Sequence, residues 1–134
     1  MKMKSWWLAV CLLVVFGIVS TANADNVALR YTYVKYCTAD LQVSGGVADV
    51  TGSISSYDER KTSINVRLQK RSSGGSWSTI CIWTDINSNG ESVAGGTQNV
   101  AKGYDYRVYT VGKVYDSSGS VIETVDKYSP VVSY

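Results

Sequence analysis

Apolar and polar residues alternate with period two along most of the chain, and no stretch repeats at the helical spacing of 3.6. Residues 29–36 read as a first strand, continuing through Ala39, Leu41 and Val43 after a kink. Gly45-Gly46 turns the chain. Ala48, Val50, Gly52 and Ile54 then share one face of a second strand, with Asp49, Thr51 and Ser53 opposite. Residues 55–61 form a polar connection. Ile64, Val66 and Leu68 point inward on a third strand, while Arg67, Gln69 and Arg71 point outward. Ser72-Ser73-Gly74-Gly75 turns the chain into a fourth strand over 77–84, and Asn89-Gly90 reads as a hairpin turn after it. Residues 91–100 are weakly patterned and interrupted by Gly95-Gly96. Residues 104–115 are the longest clean strand. A last strand lies near 121–125 and resumes at 131–134. About seven short strands predict an all-β sandwich, because a sheet with one wet face must bury the other against a second sheet.

A different pattern opens the chain. Lys2 and Lys4 precede an uncharged apolar run over 6–19, followed by Ala22-Asn23-Ala24, a small-x-small cleavage site. This predicts a signal peptide over 1–24, cut before Asp25, and hence a secreted protein with one β-sandwich domain over 25–134. The run falls short of the ~20 residues that span a bilayer, so no stable membrane span is expected after cleavage. Retention as an N-terminal anchor is the alternative. Cys11 lies mid-run with Val10 before it, which does not fit a lipidation site.

Removing 24 of 134 residues leaves 110, carrying 11 Lys and Arg against 11 Asp and Glu. Zero net charge gives no reason to expect nucleic acid as a partner. With 45% hydrophobic and 18% charged residues the chain is not a disordered polymer. Histidine is absent, which removes the commonest general base and the commonest metal ligand. No Ser-x-x-Lys dyad, CxxC or phosphate-binding glycine loop is present, and the carboxylates are scattered among turns. No enzymatic activity and no cofactor are expected. Asp85, Asn87, Asn89 and Gly90 match the opening of a calcium loop, but Gly96 stands where the bidentate glutamate belongs, so a plain turn is the better reading. Cys37 and Cys81 are an even pair in an exported chain. They form either a disulfide or two small buried hydrophobes that never meet.

Val100-Ala101-Lys102-Gly103-Tyr104-Asp105-Tyr106-Arg107-Val108 resembles the start of strand F in fibronectin type III and immunoglobulin-like domains. The resemblance implies that Tyr106 packs at the sandwich corner while its hydroxyl bonds to the chain a few residues upstream. Residues 128–132 resemble strand G of those domains. The chain is also similar, over nearly all of 25–134, to small secreted proteins of unknown function from Gram-positive bacteria. That likeness rests on Arg30-Tyr31-Thr32-Tyr33, Leu68-Gln69-Lys70-Arg71, Trp77 with Trp83, the stretch around Tyr106, and Val114-Tyr115-Asp116. It implies an exported single domain and carries over no functional residue.

The remaining signal is a surface. If Tyr106 and Val108 point inward, Arg107, Tyr109, Val111 and Lys113 point outward. In an immunoglobulin-like sandwich this strand neighbours the one carrying Arg67 and Arg71. The expected function is a small non-enzymatic binding module. Its basic face of Arg67, Arg71, Arg107, Tyr109 and Lys113 would take cell-envelope polymers, glycans or a protein. A secreted effector, a toxin or antimicrobial protein, is the alternative. The plainer reading of the face is ordinary solvated side chains. Trp77 and Trp83, six apart, are expected on one strand face, as core or sheet cover.

Overall fold

The computed structural model describes residues 31–134. The signal segment, its cleavage point and the first residues of the opening strand lie outside the described residues. Eight strands follow: β1 (Val34–Ser44), β2 (Val47–Ser56), β3 (Thr62–Arg71), β4 (Ser78–Asn87), β5 (Glu91–Asn99), β6 (Asp105–Tyr115), β7 (Val121–Tyr128) and β8 (Val132–Ser133). They build two open antiparallel sheets packed face to face as a β-sandwich. The smaller sheet has the order β1-β2-β5. The larger has the order β4-β3-β6-β7, with β8 also paired to β6. Among the described residues no helix is long and apolar enough to cross a membrane.

The period-two pattern decides which side chains meet between the layers. Ile64, Val66 and Leu68 of β3, with Val108 and Val114 beside them on β6, face Val50 and Ile54 of β2 across the sandwich, all fully buried or nearly so. Two glycines set how closely the layers approach. A Cβ on Gly52 would lie 2.5 Å from Val66 Cγ2, and one on Gly112 2.5 Å from Ile54 Cδ1. The β1–β2 hairpin closes with Gly45 and Gly46 at φ 58° and 77°, the left-handed pair that a two-residue turn between twisted strands requires.

Three details differ from the sequence reading, and a fourth takes the second of its two alternatives for the cysteines. The eighth strand arises because Pro130, which has no N–H, separates β7 from β8. Ser129 fills the gap: its N–H donates to Val108 O, and its hydroxyl accepts from Val108 N–H. The weakly patterned stretch after Asn89-Gly90 is a full strand, β5, but it belongs to the other sheet from β4. Asn89-Gly90 is therefore a crossing between layers and not a hairpin. Gly90 O accepts from Ser56 N–H, and a Cβ there would meet Glu59 Cα at 2.8 Å. Cys37 and Cys81 are both free. They sit at opposite margins of the sandwich, since β1 packs across to β6, β7 and β8 whereas β4 packs across to β5. Burial pushes the Cys37 thiol up to about 11, so it is a protonated core residue at neutral pH. Finally, Trp77 and Trp83 do not share a face. The register slips between Leu68 and Gln69, and Cys81 and Thr79 become their partners, leaving Ile80 as an extra residue. Trp83 turns inward, where Gly96 makes room for it: a Cβ there would lie 2.7 Å from Trp83 Nε1. Trp77 precedes β4 and turns outward.

The lead into β1 is fastened by one carboxylate. Glu123 of β7 accepts from Tyr33 N–H at 2.9 Å and Val34 N–H at 2.8 Å through Oε1, and from Thr32 N–H at 3.0 Å through Oε2. Partial burial opposes ionisation, yet the three N–H donors outweigh it and hold the Glu123 carboxyl below the usual glutamate range. Glu123→Ala is expected to cost about 2 kcal/mol at neutral pH, measured by urea unfolding. A depressed native pKa contributes stability above the unfolded value of about 4.3 and loses it as pH falls through the native one. The gap between wild type and variant should therefore close as the pH is lowered below about 4.3.

Candidate functional site

The outer side of the larger sheet collects four of the five residues expected to bind into one continuous stack. In the β3–β6 register Arg67 lies opposite Tyr109, Gln69 opposite Arg107, and Arg71 opposite Asp105. In the β6–β7 register Tyr109 lies opposite Tyr128. Each of these residues stands on the same face because the period is two on every strand. Trp77 reaches over them from the β3–β4 turn.

The contacts run in order along the face. The Arg71 guanidinium carbon is 4.4 Å from the Trp77 ring centroid. That of Arg107 is 4.2 Å from Trp77 and 4.3 Å from Tyr128. The Tyr128 and Tyr109 rings stack with centroids 4.4 Å apart and planes 17° apart. Arg67 ends the row, 5.8 Å from Tyr109. Cation–π contacts of this kind contribute roughly 0.5–2 kcal/mol each. Every guanidinium in the row is also tied down through Nε. Arg67 donates to Asn65 Oδ1 at 2.7 Å, Arg107 to Gln69 Oε1 at 2.8 Å, and Arg71 to Asp105 Oδ2 at 3.1 Å.

These ties use only one nitrogen of each fork. Among the described residues Arg71–Asp105 is the one ion pair, and no carboxylate comes within 4.0 Å of Arg67, Arg107 or Lys113. Hydrogen bonds from the Ser133 hydroxyl and then from Arg71 hold the Asp105 carboxyl below the usual aspartate range, so that acid stays charged and engaged. Asp126 is the other acid on this side, and it accepts from the Tyr109 hydroxyl at 3.2 Å. Partial burial, then the Asp126 carboxylate, pushes the Tyr109 hydroxyl up, so Tyr109 remains neutral. The Nη groups of Arg67 and Arg107 are left pointing from fixed positions with no anionic partner among the described residues. A planar fork already held in place can grip a carboxylate, sulfate or phosphate with little ordering cost.

Lys113 stands apart from the stack. It is exposed and lines an open groove of about 500 Å³ with Ser63, Asn65, Arg67, Thr84, Ile86 and Val111. The opposite sheet has the reverse polarity: β1, β2 and β5 carry Lys35 against Asp40, Asp49 and Glu91. A chain of near-neutral charge thus presents one basic face, which global counting hides.

Tyr106 does not take part in the face. It is 1% exposed, and its hydroxyl donates to Ala101 O at 2.6 Å, five residues upstream. The residues matching a calcium loop are spent on local structure. Asp85 Oδ2 accepts from Asn87 Nδ2 at 2.6 Å and from Val93 N–H at 3.1 Å, and Asn89 Oδ1 accepts from Glu91 N–H at 3.3 Å. Among the described residues no three His, Cys, Asp or Glu side chains group as metal ligands. Sequence reasoning misses two contributors to the face. It ends the penultimate strand at Val125, short of Tyr128, and it gives Trp77 the same face as Trp83. A signal for Tyr128 exists: it is the even-spaced continuation of Thr124 and Asp126 on β7.

No protein-family model matches the chain, and no curated protein matches it. Two solved structures of a β-glucuronidase from Ruminococcus gnavus align with it at 19% identity and a TM-score of 0.37. One is in complex with an N1-substituted uronic isofagomine and the other with D-glucuronic acid. The alignment covers 71% of this chain and 15% of that one. Likeness at this level carries no argument about fold or function.

Proposed function

We propose that residues 25–134 form an exported, non-enzymatic binding module of the fibronectin type III kind, which holds acidic polymers on the outer face of its larger sheet. The strand order, β1-β2-β5 against β4-β3-β6-β7, and the Tyr106–Ala101 hydrogen bond support the finer fold. One observation carries the binding role: the guanidinium groups of Arg67 and Arg107 are immobilised by aromatic rings and by Nε bonds, while their Nη forks are unclaimed. Holding each guanidinium in one place costs side-chain entropy that the ring contacts and Nε bonds offset, so an anion would meet a fork that is already ordered. The expected export signal and the opposed polarity of the two faces fit a protein that meets charged polymers outside the cell.

Titration with polygalacturonate at low and high salt tests this reading. Binding is expected at low ionic strength and should weaken as the Debye length shrinks from roughly 10 Å to 3 Å between 0.1 M and 1 M salt. Arg107→Glu breaks the middle of the stack and reverses a charge, and should weaken binding more than about tenfold. Lys35→Glu on the other sheet should leave it unchanged. Equal binding by wild type and Arg107→Glu, or binding indifferent to salt, would contradict the proposal.

A further inference from the structure

The groove beside the stack has a composition of its own. It lies over Ser63 and Asn65 of β3, an interior strand of the larger sheet. The register sets Asn65 between Thr84 and Val111, and Ser63 between Ile86 and Lys113. One wall is therefore Thr84 and Ile86 of β4, the other Val111 and Lys113 of β6. Arg67 closes one end beside Tyr109. At the other end Tyr115 OH and Ser63 Oγ are 2.8 Å apart, with Lys61 Nζ 5.2 Å from the Tyr115 ring centroid. The volume of about 500 Å³ falls within the roughly 300–1,000 Å³ usual for small-ligand clefts.

We infer that this groove is a subsite for a single carboxylated sugar unit of the acidic polymer, with Arg67 and Lys113 holding the carboxylate. The inference rests on the proposed function and narrows its ligand. Lys113 Nζ has no partner among the described residues, and Arg67 keeps its Nη fork free. Because Asn65 Oδ1 is taken by Arg67 Nε, its Nδ2 is turned outward as a further donor. The Asp85 carboxylate, though its residue borders the groove, is spent on Val93 N–H and Asn87 on the inner side. Asp126 lies beyond Val111 and is engaged by Tyr109. Cations and an amide donor select an anion. The Ser63 and Thr84 hydroxyls can donate or accept and so match ring hydroxyls. Ile86 is 55% exposed on the wall, and with Val111 it offers an apolar surface to the C–H face of a pyranose. An acidic peptide would use the same cations, but it has no ring of hydroxyls over a C–H face to match the Ser63 and Thr84 hydroxyls beside Ile86 and Val111. It would also prefer a free strand edge, and the groove floor is the central strand β3, paired on both sides.

Calorimetry on protein produced from the full-length chain, with trigalacturonate, its methyl ester and hexaglutamate as probes, decides the matter. Trigalacturonate should bind, and its methyl ester at least about tenfold more weakly, because a charge-assisted bond is lost. Lys113→Gln, at an exposed position, should cost about tenfold for trigalacturonate. Ile86→Asn should weaken trigalacturonate several-fold while leaving polygalacturonate's salt sensitivity in place. Hexaglutamate binding as tightly as trigalacturonate would overturn the inference, since the groove would then read charge alone. So would trigalacturonate binding unaffected by Lys113→Gln and Ile86→Asn; if Arg107→Glu still abolished polymer binding, the face would stand and the groove would fall. Absence of any binding by both polymer and trimer would remove the face and the groove together.

Discussion

Replacing Tyr106 with alanine is expected to destabilise the domain by about 3–5 kcal/mol, the range for removing a buried aromatic ring. Small domains have only about 5–15 kcal/mol in total, so this one change should take the protein close to its unfolding threshold at room temperature. Tyr106 is the largest side chain among those fully buried, and it meets Tyr104 edge-on with ring centroids 6.4 Å apart. Its removal opens a void between β6 and the smaller sheet that backbone already hydrogen-bonded on both sides cannot collapse to fill. Tyr106→Phe separates the two parts of the effect. It keeps the ring and loses only the 2.6 Å hydrogen bond to Ala101 O, so it should cost about 1–2 kcal/mol. Guanidinium unfolding followed by tryptophan fluorescence gives both numbers. A Phe variant as unstable as the Ala variant would mean that the hydroxyl, and not packing, holds the corner.

The second large effect is expected at Gly95. It sits within β5 opposite Thr51 of β2. A Cβ there would lie 2.0 Å from Val50 O and 2.9 Å from Thr51 Cα. Both are backbone atoms of the paired strand, so no rotamer change relieves the overlap. Gly95→Ala should force β5 away from β2 and cost at least about 3 kcal/mol, at or above the usual range for overpacking. Gly119→Ala is the matched control. Gly95 has φ 157° and Gly119 has φ 87°, but nothing lies within 4 Å of the Gly119 Cβ position. Its substitution should cost only about 1–2 kcal/mol for left-handed backbone. Near-equal losses at the two sites in urea titrations would show that β5 is less tightly fixed than its register implies.

Alternation alone makes most of the strands legible, because a one-residue slip would turn every inward residue of β2, β3 or β6 to water. It correctly sets Arg67, Arg71, Arg107 and Tyr109 on one outer face. What alternation does not carry is partnership across strands. The stack depends on Tyr128 lying opposite Tyr109, and on a bulge at Ile80 that sends Trp77 and Trp83 to different sides. A single inserted residue reverses an even-spacing argument. Asn89-Gly90 misleads in the same way: a tight turn is visible in two residues, but whether it returns to the same sheet depends on distant pairing of β5 with β2. The cysteines need the layer arrangement as well, since only strand order shows β1 and β4 at opposite margins.

The most direct test of the binding face is nuclear magnetic resonance of the ¹⁵N-labelled protein titrated with polygalacturonate. The side-chain Nε–H signals of Arg67, Arg71 and Arg107 and the amides of β3 and β6 are expected to shift, while those of β1, β2 and β5 stay in place. Shifts centred on the Asp40–Asp49 side, or saturating polymer that moves no arginine signal, would contradict the binding face.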